Sequence, residues 1–525
     1  MSLLQVSDLT FGYPGSFDNV FENVSFSIDT DWKTGFIGRN GKGKTTFLNL
    51  LLGKYEYSGS ITTNKFFDYF PYKTEEKDLD KTMDEMSMEW KSNAEGWKII
   101  CELNNMGVDP ELLYRPIKTL SHGERTKAML AILFSGDNEF LLIDEPTNHL
   151  DKDGREIIKN YLAQKNGFIL VSHDRDLLDA VSDHMLILNR SSIEVMNGNF
   201  STWWENKERA DAFAMAENEK HKKEIGKLTA SMRRTDSWAK KSESTKIGFD
   251  PIKENDRSIS TRSFIGAKTK KMQSRVKNFE KRIEREIEEK EGLLNDIEKV
   301  DDLRLNPLKH HKKCIVECRD FSLGYSEESR VLSGITFQLE QGDILFLNGE
   351  NGCGKSSLIK AILKNAGYLH DTGDIADTSK LQDTSALPGT ENMITDGKLE
   401  TASGLIISYI DQNTSDLKGT LAEFTKKRDL DYSLFLTLLR KLDFSREQFE
   451  SKIEDYSEGQ KKKVLIAASL LTPAHLYIWD EPLNYIDVFS RMQIEKLIET
   501  YMPTMIVVEH DIRFREKLAT KIENL

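Results

Sequence analysis

The chain has 525 residues and a mass of 60.2 kDa, which predicts two to four domains and excludes a single one. Its 38% hydrophobic and 30% charged residues, with a mean hydropathy of −0.51, indicate folded domains with a polar surface and exclude global disorder. Its longest apolar runs fall far short of the roughly 18–20 residues that cross a bilayer, and four scattered cysteines fit a reducing compartment, so we expect a cytoplasmic protein.

Charge is distributed unevenly along the chain. Residues 220–285 hold 20 Lys and Arg against 8 Asp and Glu, whereas the whole chain has a net charge of −13. One basic segment therefore interrupts an otherwise acidic chain. This asymmetry predicts that the basic segment, and not the remainder, binds a polyanion.

The first chemical motif in chain order is a glycine-rich phosphate loop, and it occurs twice. Each copy follows a predicted strand (34–37 and 344–347) and precedes a predicted helix (47–52 and 358–363), which is the context that the motif requires. Backbone N–H groups and the N-terminus of the helix bind phosphate oxygens, the lysine reaches the β- and γ-phosphates, and the hydroxyl binds Mg²⁺. The expected ATP-binding residues are Gly38, Asn40, Gly41, Gly43, Lys44, Thr45 and Thr46 in the first copy, and Gly349, Asn351, Gly352, Gly354, Lys355, Ser356 and Ser357 in the second.

Three further motif pairs recur at a constant spacing of 336 or 337 residues. The pairs are Ser121 and Gly123 with Ser457 and Gly459, Asp144 and Glu145 with Asp480 and Glu481, and His173 with His510. The phosphate loops are 311 residues apart, which places about 25 additional residues in the second copy, within the polar stretch 370–400. The chain is therefore predicted to be a tandem duplication, with a first domain at 1–202, a different segment at 203–305 and a second domain at 306–525.

Each repeated acidic pair predicts a role in phosphoryl chemistry. Asp144 and Asp480 end apolar strands, where a carboxylate can hold the hydration shell of Mg²⁺, and the adjacent Glu145 and Glu481 can polarise the attacking water. The two histidines end the next strands, where they can contact the γ-phosphate. We therefore expect Glu145, Glu481, His173 and His510 to be catalytic, and Thr45, Asp144, Ser356 and Asp480 to bind the metal.

The intervening segment carries apolar residues at spacings of three and four, which predicts two antiparallel helices at 204–234 and 268–300, each about 45 Å long. The predicted turn, at 235–267, combines basic and aromatic residues, which favours contact with structured RNA. The expected RNA-binding residues are Trp238, Lys240, Lys241, Phe249, Arg257, Arg262, Phe264, Lys268, Lys270 and Lys271. A charged coiled coil that only separates two domains is the alternative, although the positive excess argues against it.

One cluster of possible metal ligands lies at the start of the second copy. His310, His311, Cys314 and Cys318 are close in sequence, but the cysteines fall on the predicted first strand of that copy. We therefore do not expect a zinc site there.

Together these motifs resemble the ATP-binding cassette family, over residues 3–200 and 314–525. The resemblance implies an α/β fold with two tandem ATP-binding-cassette P-loop domains joined by an antiparallel α-helical hairpin linker. It also implies head-to-tail pairing of the cassettes within one monomer. The first site would then include Ser457 and Gly459, and the second Ser121 and Gly123. The family pattern further implies that Tyr13 and Tyr325 stack on adenine and that Gln412 serves the metal.

The sequence departs from this family pattern at three places. Tyr72 stands where the second copy has Gln412, so Mg²⁺ at the first site is expected to depend more on water. His122 and Glu458 occupy signature positions where glycine is usual, and the second D-loop, at 484–487, reads NYID against NHLD at 148–151. Both catalytic glutamates remain, so the relative activity of the two sites stays open.

Local phrases such as DEPTNHLD at 144–151 and GNFS at 198–201, with the basic linker, resemble the ABC-F branch, especially antibiotic-resistance members of the Lsa and Vga type. The resemblance implies an ATPase that binds the ribosome at the tRNA exit site and contacts large-subunit RNA and the exit-site or peptidyl tRNA. It would displace lincosamides, pleuromutilins and streptogramin A, with hydrolysis controlling release, and need neither a membrane nor an obligate protein partner. A housekeeping ABC-F translation factor and a transporter ATPase subunit remain alternatives.

Overall fold

The structure is a computed structural model. It describes residues 2–14, 19–92, 94–148, 150–189, 192–244, 281–282, 305–326, 329–350, 352–368, 393–415, 417–442, 444 and 447–525. The chain forms two compact units, of which one comprises Met1–Ser201 with Val300–Leu525 and the other Thr202–Lys299. No helix within these described ranges is both long enough and apolar enough to span a membrane.

The strands of the first sequence copy form two sheets. In chain order they are β1 (Leu3–Phe11), β2 (Phe21–Asp29), β3 (Lys33–Gly38), β4 (Ser58–Thr62), β5 (Phe66–Phe70), β6 (Glu139–Asp144), β7 (Phe168–Val171), β8 (His184–Leu188) and β9 (Ile193–Asn197). A small antiparallel sheet has the order β2-β1-β4, and a larger one has the order β5-β6-β7-β3-β8-β9. In the larger sheet β9 pairs antiparallel and the other neighbours pair parallel.

The helices of the first copy are interspersed with its strands along the chain. They are α1 (Lys44–Leu51), α2 (Met83–Trp90), α3 (Gly96–Asn105), α4 (His122–Leu133), α5 (Lys152–Ala163) and α6 (Arg175–Val181), with 3-10 turns at Glu76–Asp78, Pro110–Tyr114 and Ile117–Thr119. Strands β6 and β7 are apolar along nearly their whole length because both faces of a parallel sheet are covered. Phe36, Phe47 and Leu142 are fully buried in the core between the two sheets.

The next helix, α7 (Phe200–Ser244), is longer than the sequence predicted. The expected helix was 204–234 with a turn from 235, but α7 continues through residues 235–244. At 1.5 Å per residue its 45 residues extend about 67 Å. The expected start of the turn is therefore wrong, because the polar residues after Arg234 continue the helix instead of ending it.

The second copy repeats the architecture. Its strands are β10 (Cys314–Ser326), β11 (Ser329–Glu340), β12 (Ile344–Asn348), β13 (Ile394–Thr401), β14 (Ile407–Ile410), β15 (Leu476–Asp480), β16 (Met505–Val508) and β17 (Lys521–Asn524). They form an antiparallel sheet, β11-β10-β13, and a parallel sheet, β14-β15-β16-β12-β17. Its helices are α8 (Lys355–Asn365), α9 (Leu421–Lys427), α10 (Tyr432–Lys441), α11 (Glu458–Leu471), α12 (Val488–Tyr501) and α13 (Ile512–Leu518), with 3-10 turns at Glu447–Glu450 and Ile453–Asp455.

Two other sequence-based expectations can be placed on this fold. Leu305, one residue before the expected start of the second domain, is buried in the core of that domain. Cys314 and Cys318 lie on β10, as expected, and the Cys318 thiol donates to the carbonyl of Ile335. The insertion expected within 370–400 lies mostly outside the described residues.

Candidate nucleotide sites

The two phosphate loops lie where β3 and β12 end and α1 and α8 begin. Gly43 and Gly354 are the N-caps of these helices, with φ of 108° and 102°, a left-handed conformation that favours glycine. A methyl group at Gly41 would meet no atom within 4 Å, so the loop has an open face. Such a loop presents backbone N–H groups to an anion at a helix N-terminus.

The lysine of each loop bonds to a backbone carbonyl of the same loop. Lys44 Nζ donates to the carbonyl of Gly38 at 2.7 Å, and Lys355 Nζ donates to the carbonyl of Gly349 at 2.8 Å. Burial, opposed by nearby carboxylates, lowers the pKa of Lys44. Both ammonium groups therefore lie against the backbone of the loop.

A hydroxyl and a carboxylate meet beside each loop. Thr45 Oγ1 donates to Asp144 Oδ2 at 3.1 Å, and Ser356 Oγ donates to Asp480 Oδ2 at 2.8 Å. Asp480 Oδ1 is buried and has no hydrogen-bond partner among the described residues, and burial raises the pKa of this carboxyl to about 6. An orphaned carboxylate oxygen beside a hydroxyl fits the oxygen ligands that Mg²⁺ prefers.

The glutamate that follows each aspartate has a strained backbone. Glu145 and Glu481 have φ of 52° and 48°, which is rare for residues other than glycine and is found preferentially at functional sites. The Nε2 atom of His173 lies 3.4 Å from Glu145, and that of His510 lies 3.7 Å from Glu481. Each copy thus brings the predicted glutamate and histidine together.

The two glutamates nevertheless differ electrostatically. Burial, with the neighbouring Asp144, raises the pKa of Glu145 to about 8. Burial also acts to raise the pKa of Glu481, but His510 and Gln412 outweigh it and the pKa is lowered. In the nucleotide-free protein Glu481 is therefore the more readily ionised of the two.

The difference at Gln412 and Tyr72 has a clear structural basis. Gln412 Nε2 donates to Glu481 Oε2 at 2.8 Å. Tyr72, at the matching position after β5, donates instead to Asp68 at 2.7 Å and stacks on Trp90.

The sequence analysis missed a second tyrosine at the first site. The hydroxyl of Tyr69 donates to Asp144 Oδ2 at 3.1 Å, so the first carboxylate accepts bonds from both Thr45 and Tyr69. The side chain comes from the strand itself and not from the loop after it. A tyrosine in an apolar strand reads as a core residue, so its pattern gave no signal.

The tyrosines expected to stack on adenine occupy equivalent positions. Tyr13 and Tyr325 are 41% and 42% exposed. Their hydroxyls share hydrogen bonds with Thr46 and Ser357, at 2.7 and 2.8 Å, directly beside the phosphate loops. Two exposed rings fixed at one end form flat apolar surfaces on which a base can stack.

Residues of the second copy complete the first site. Asn40 Nδ2 donates to the carbonyl of Tyr485 at 2.6 Å, and a methyl group at Gly459 would lie 2.5 Å from that carbonyl and 3.2 Å from Asn40. Ser457 caps the helix that begins next to Gly459, as Ser121 does in the first copy. The first phosphate loop thus faces the signature and D-loop of the second copy.

Residues of the first copy complete the second site in the same way. A cavity of about 590 Å³ is lined by His122, Leu150 and Arg155 from the first copy and by Tyr325, Lys355, Gln412, Glu481 and His510 from the second. A methyl group at Gly123 would lie 3.5 Å from Leu150, an ordinary contact. Two composite sites therefore exist within one chain.

Charged pairs that join the two copies were not predicted from the sequence. Arg175 forms two hydrogen bonds with Glu495, one of 3.2 Å, and lies 3.5 Å from Asp511. Arg513 pairs with Asp176 at 2.6 Å and with Asp179. These partners are more than 300 residues apart, so no local pattern indicates them.

The remaining predicted residues lie on α7 or outside the described residues. Trp238, Lys240 and Lys241 lie on α7. Phe249, Arg257, Arg262, Phe264, Lys268, Lys270 and Lys271, together with Asn351 of the second loop, lie outside the described residues.

Comparison with known proteins supports this architecture. A family model described as ABC transporter matches residues 21–148 and 332–484, more than half of the chain. The Ribosome protection protein VmlR of Bacillus subtilis (strain 168) is 26% identical over 505 residues, which is 95% of this chain and 82% of VmlR. The Erythromycin resistance ATP-binding protein MsrA of Staphylococcus epidermidis is 26% identical, over 93% of this chain and 91% of MsrA.

A solved structure confirms the fold class. The archaeal ribosome recycling factor aABCE1, in complex with the ribosomal stalk protein aP1, has a TM-score of 0.59 and 17% identity, and the match covers 98% of this chain and 87% of that chain. At this identity the likeness establishes the fold alone. The predicted α/β fold with two tandem cassettes is thereby confirmed.

Proposed function

We propose, from the premise that the chain belongs to the ABC transporter family, that it is a ribosome-protecting ATPase of the ABC-F branch. The chain is an ATPase, because it carries the nucleotide-binding cassette of that family twice. The observation that carries the proposal is the composite first site, in which Asn40 bonds to Tyr485 at 2.6 Å across the two copies. One chain thus supplies both halves of each site and needs no second ATPase subunit.

We assign roles to the site residues accordingly. Lys44 and Lys355 bind the β- and γ-phosphates, while Thr45 with Asp144, and Ser356 with Asp480, hold Mg²⁺. The ion, when bound, neutralises phosphate charge. Glu145 and Glu481 orient and polarise the water that attacks the γ-phosphate, and His173 and His510 contact the phosphate beside them. Gln412 contributes to Mg²⁺ binding at the second site, and Tyr13 and Tyr325 stack on adenine.

The proposed target is the ribosome, because VmlR is named as a ribosome protection protein and matches almost the whole chain. The basic segment at 220–285 supplies the positive charge that binding to RNA requires. We propose that the protein acts in the cytoplasm as a monomer at the tRNA exit site. There the linker, residues 203–305, would contact large-subunit RNA and tRNA and dislodge lincosamides, pleuromutilins and streptogramin A. ATP hydrolysis would control release of the protein from the ribosome.

Drug susceptibility tests this proposal. Expression in a susceptible strain should raise the inhibitory concentrations of a lincosamide, a pleuromutilin and a streptogramin A compound, but not that of an aminoglycoside that acts on the small subunit. Replacing residues 247–264 by a short Gly-Ser linker should remove protection while leaving ATPase activity intact. A full-length protein that protects against none of the three drugs would favour the housekeeping factor, and association with membranes would favour a transporter subunit.

A further inference from the structure

The two composite sites hold their glutamates differently. We propose that the second site carries the rapid turnover of ATP and that the first hydrolyses slowly and retains its nucleotide while the second turns over. The proposal rests on the roles assigned above to Glu145 and Glu481, but not on the ribosome as target.

Two amide side chains hold the glutamate of the second site. Gln412 Nε2 and Asn484 Nδ2 donate to the same oxygen, Glu481 Oε2, at 2.8 and 2.7 Å. The second oxygen, Oε1, is the one that lies 3.7 Å from His510. A carboxylate fixed at one oxygen keeps the other oriented to accept a proton from water, and such orientation contributes strongly to catalysis. Gln412 and Asn484 are therefore positioning residues.

The glutamate of the first site lacks such support. Glu145 Oε1 is buried and forms no hydrogen bond with the described residues, although His173 Nε2 lies 3.4 Å from it. The Oε2 atom accepts a long bond of 3.4 Å from the backbone N–H of His173. Tyr72 does not take the place of Gln412, because its hydroxyl donates to Asp68 and its ring stacks on Trp90. Nothing comparable to the paired amides orients the carboxylate of Glu145 in the described part of the chain.

A second, independent difference lies in how the two copies are joined. Arg175, Glu495 and Asp511 form a buried ionic cluster beside the first site, which we call the interface clamp. The side chains of Arg175 and Glu495 are 6% and 2% exposed, and their two hydrogen bonds make the pair bidentate. Bidentate arginine–carboxylate pairs are among the strongest polar contacts in proteins.

The repeat spacing identifies the matching positions beside the second site. At the repeat spacing of 337 residues, Ile512 of the second copy matches Arg175 of the first. At the spacing of 336 residues, Lys159 of the first copy matches Glu495 of the second. An isoleucine and a lysine cannot form an ion pair. Both residues instead line a small cavity beside His510. The clamp therefore exists on one side of the interface.

The two differences act in the same direction. Release of ADP and phosphate requires the composite site to open, and in many enzymes this step limits turnover. The clamp opposes opening of the first site, where Glu145 is also poorly oriented. The second site has a positioned glutamate, and the positions that match the clamp hold Ile512 and Lys159.

Single substitutions test whether the two sites differ in ATP turnover. Glu481→Gln should lower kcat by at least about 100-fold, whereas Glu145→Gln should lower it less than about threefold, because positioned general bases contribute about 10²–10⁴-fold. The wild type should retain about one labelled nucleotide per chain on a rapid desalting column. Equal losses from the two single variants, or no retained nucleotide, would overturn this difference. An active double variant would instead refute the roles assigned to both glutamates.

Two matched pairs of variants isolate the causes. Gln412→Ala should lower kcat about tenfold with little change in KM, whereas Tyr72→Phe should leave both unchanged because the lost hydroxyl faces Asp68.

Arg175→Ile, which copies the residue found at the matching position, should speed loss of the retained nucleotide severalfold. Its control is Ile512→Val, which should not. If Gln412→Ala raises KM alone, or if Arg175→Ile leaves the retention time unchanged, that part of the explanation is wrong.

Discussion

The first and second nucleotide sites are copies of one sequence pattern, yet they hold the glutamate that follows the aspartate differently. In the second, Gln412 and Asn484 both donate to Glu481. In the first, Glu145 accepts only a long bond from the backbone of His173 among the described residues, and Tyr72 donates to Asp68 instead. The phosphate loops and the predicted metal-binding pairs are nearly identical, so the difference arises from the residues around the glutamate. Duplicated motifs preserve the groups of a site, whereas neighbouring residues decide how those groups are oriented.

The largest effect on stability should come from breaking the clamp. Arg175→Ala leaves Glu495 buried without its partner, and loss of one member of a buried pair costs about 3–5 kcal/mol. Arg209→Ala removes an exposed i,i+4 pair with Glu205 and should cost less than about 1 kcal/mol. Urea unfolding followed by tryptophan fluorescence would measure both. Similar losses would show that the clamp contributes little.

The pKa difference between the glutamates predicts opposite pH effects on stability without nucleotide. The pKa of Glu145 is raised from 4.5 to about 8, so the folded state binds a proton that the unfolded chain has released, and stability falls as the pH rises through this range. Glu145→Gln removes that loss. It should raise the melting temperature more at pH 8 than at pH 5, by roughly 2–4 °C for each kcal/mol recovered.

Glu481→Gln is the matched control for this pH experiment. The pKa of Glu481 is lowered, so its ionised form adds stability that is present above pH 4.5, the ordinary pKa, and is lost as the pH falls through the lowered value. Glu481→Gln should therefore lower the melting temperature at pH 8. If both variants shift in the same direction at pH 8, the electrostatic contrast between the sites is wrong.

A smaller effect should come from the signature glycine of the second copy. Gly459→Ala places a methyl group 2.5 Å from the carbonyl of Tyr485, and such overpacking costs about 1–3 kcal/mol. Gly96→Ala, at the start of α3, places a methyl group where no atom lies within 4 Å and should change the melting temperature by less than about 1 °C. Differential scanning fluorimetry without nucleotide compares the two. Equal shifts would mean that Gly459 is not packed against the carbonyl of Tyr485.

The sequence predicted those features of the fold that depend on local pattern. The strand before each phosphate loop, the helix after it and the aspartate that ends β6 or β15 all lie where the motifs placed them. Apolar runs define buried parallel strands, and glycines define turns that other residues resist. Once a strand or helix is located, the residues at its ends are located as well.

The features that escaped prediction depend on contacts between distant segments. The orientation of Tyr72 is determined by Asp68 and Trp90, and the partner of Arg175 lies 320 residues away. Helix α7 was underestimated because the apolar spacing that indicated it ends before Arg234, whereas the helix continues to Ser244. Local propensity cannot resolve such cases, since tertiary contacts decide them.

Sedimentation of ribosomes with the Glu145→Gln and Glu481→Gln double variant tests the central claim most directly, because it joins the composite ATP sites to the proposed target. The variant keeps both phosphate loops but loses both carboxylates, so it should bind ATP, hydrolyse it at least about 100-fold more slowly and remain on ribosomes through a sucrose cushion. Wild type should be released after hydrolysis. Recovery of the variant with ribosomes only when ATP is present is the predicted result. Sedimentation that is absent, or identical with and without ATP, would contradict the account.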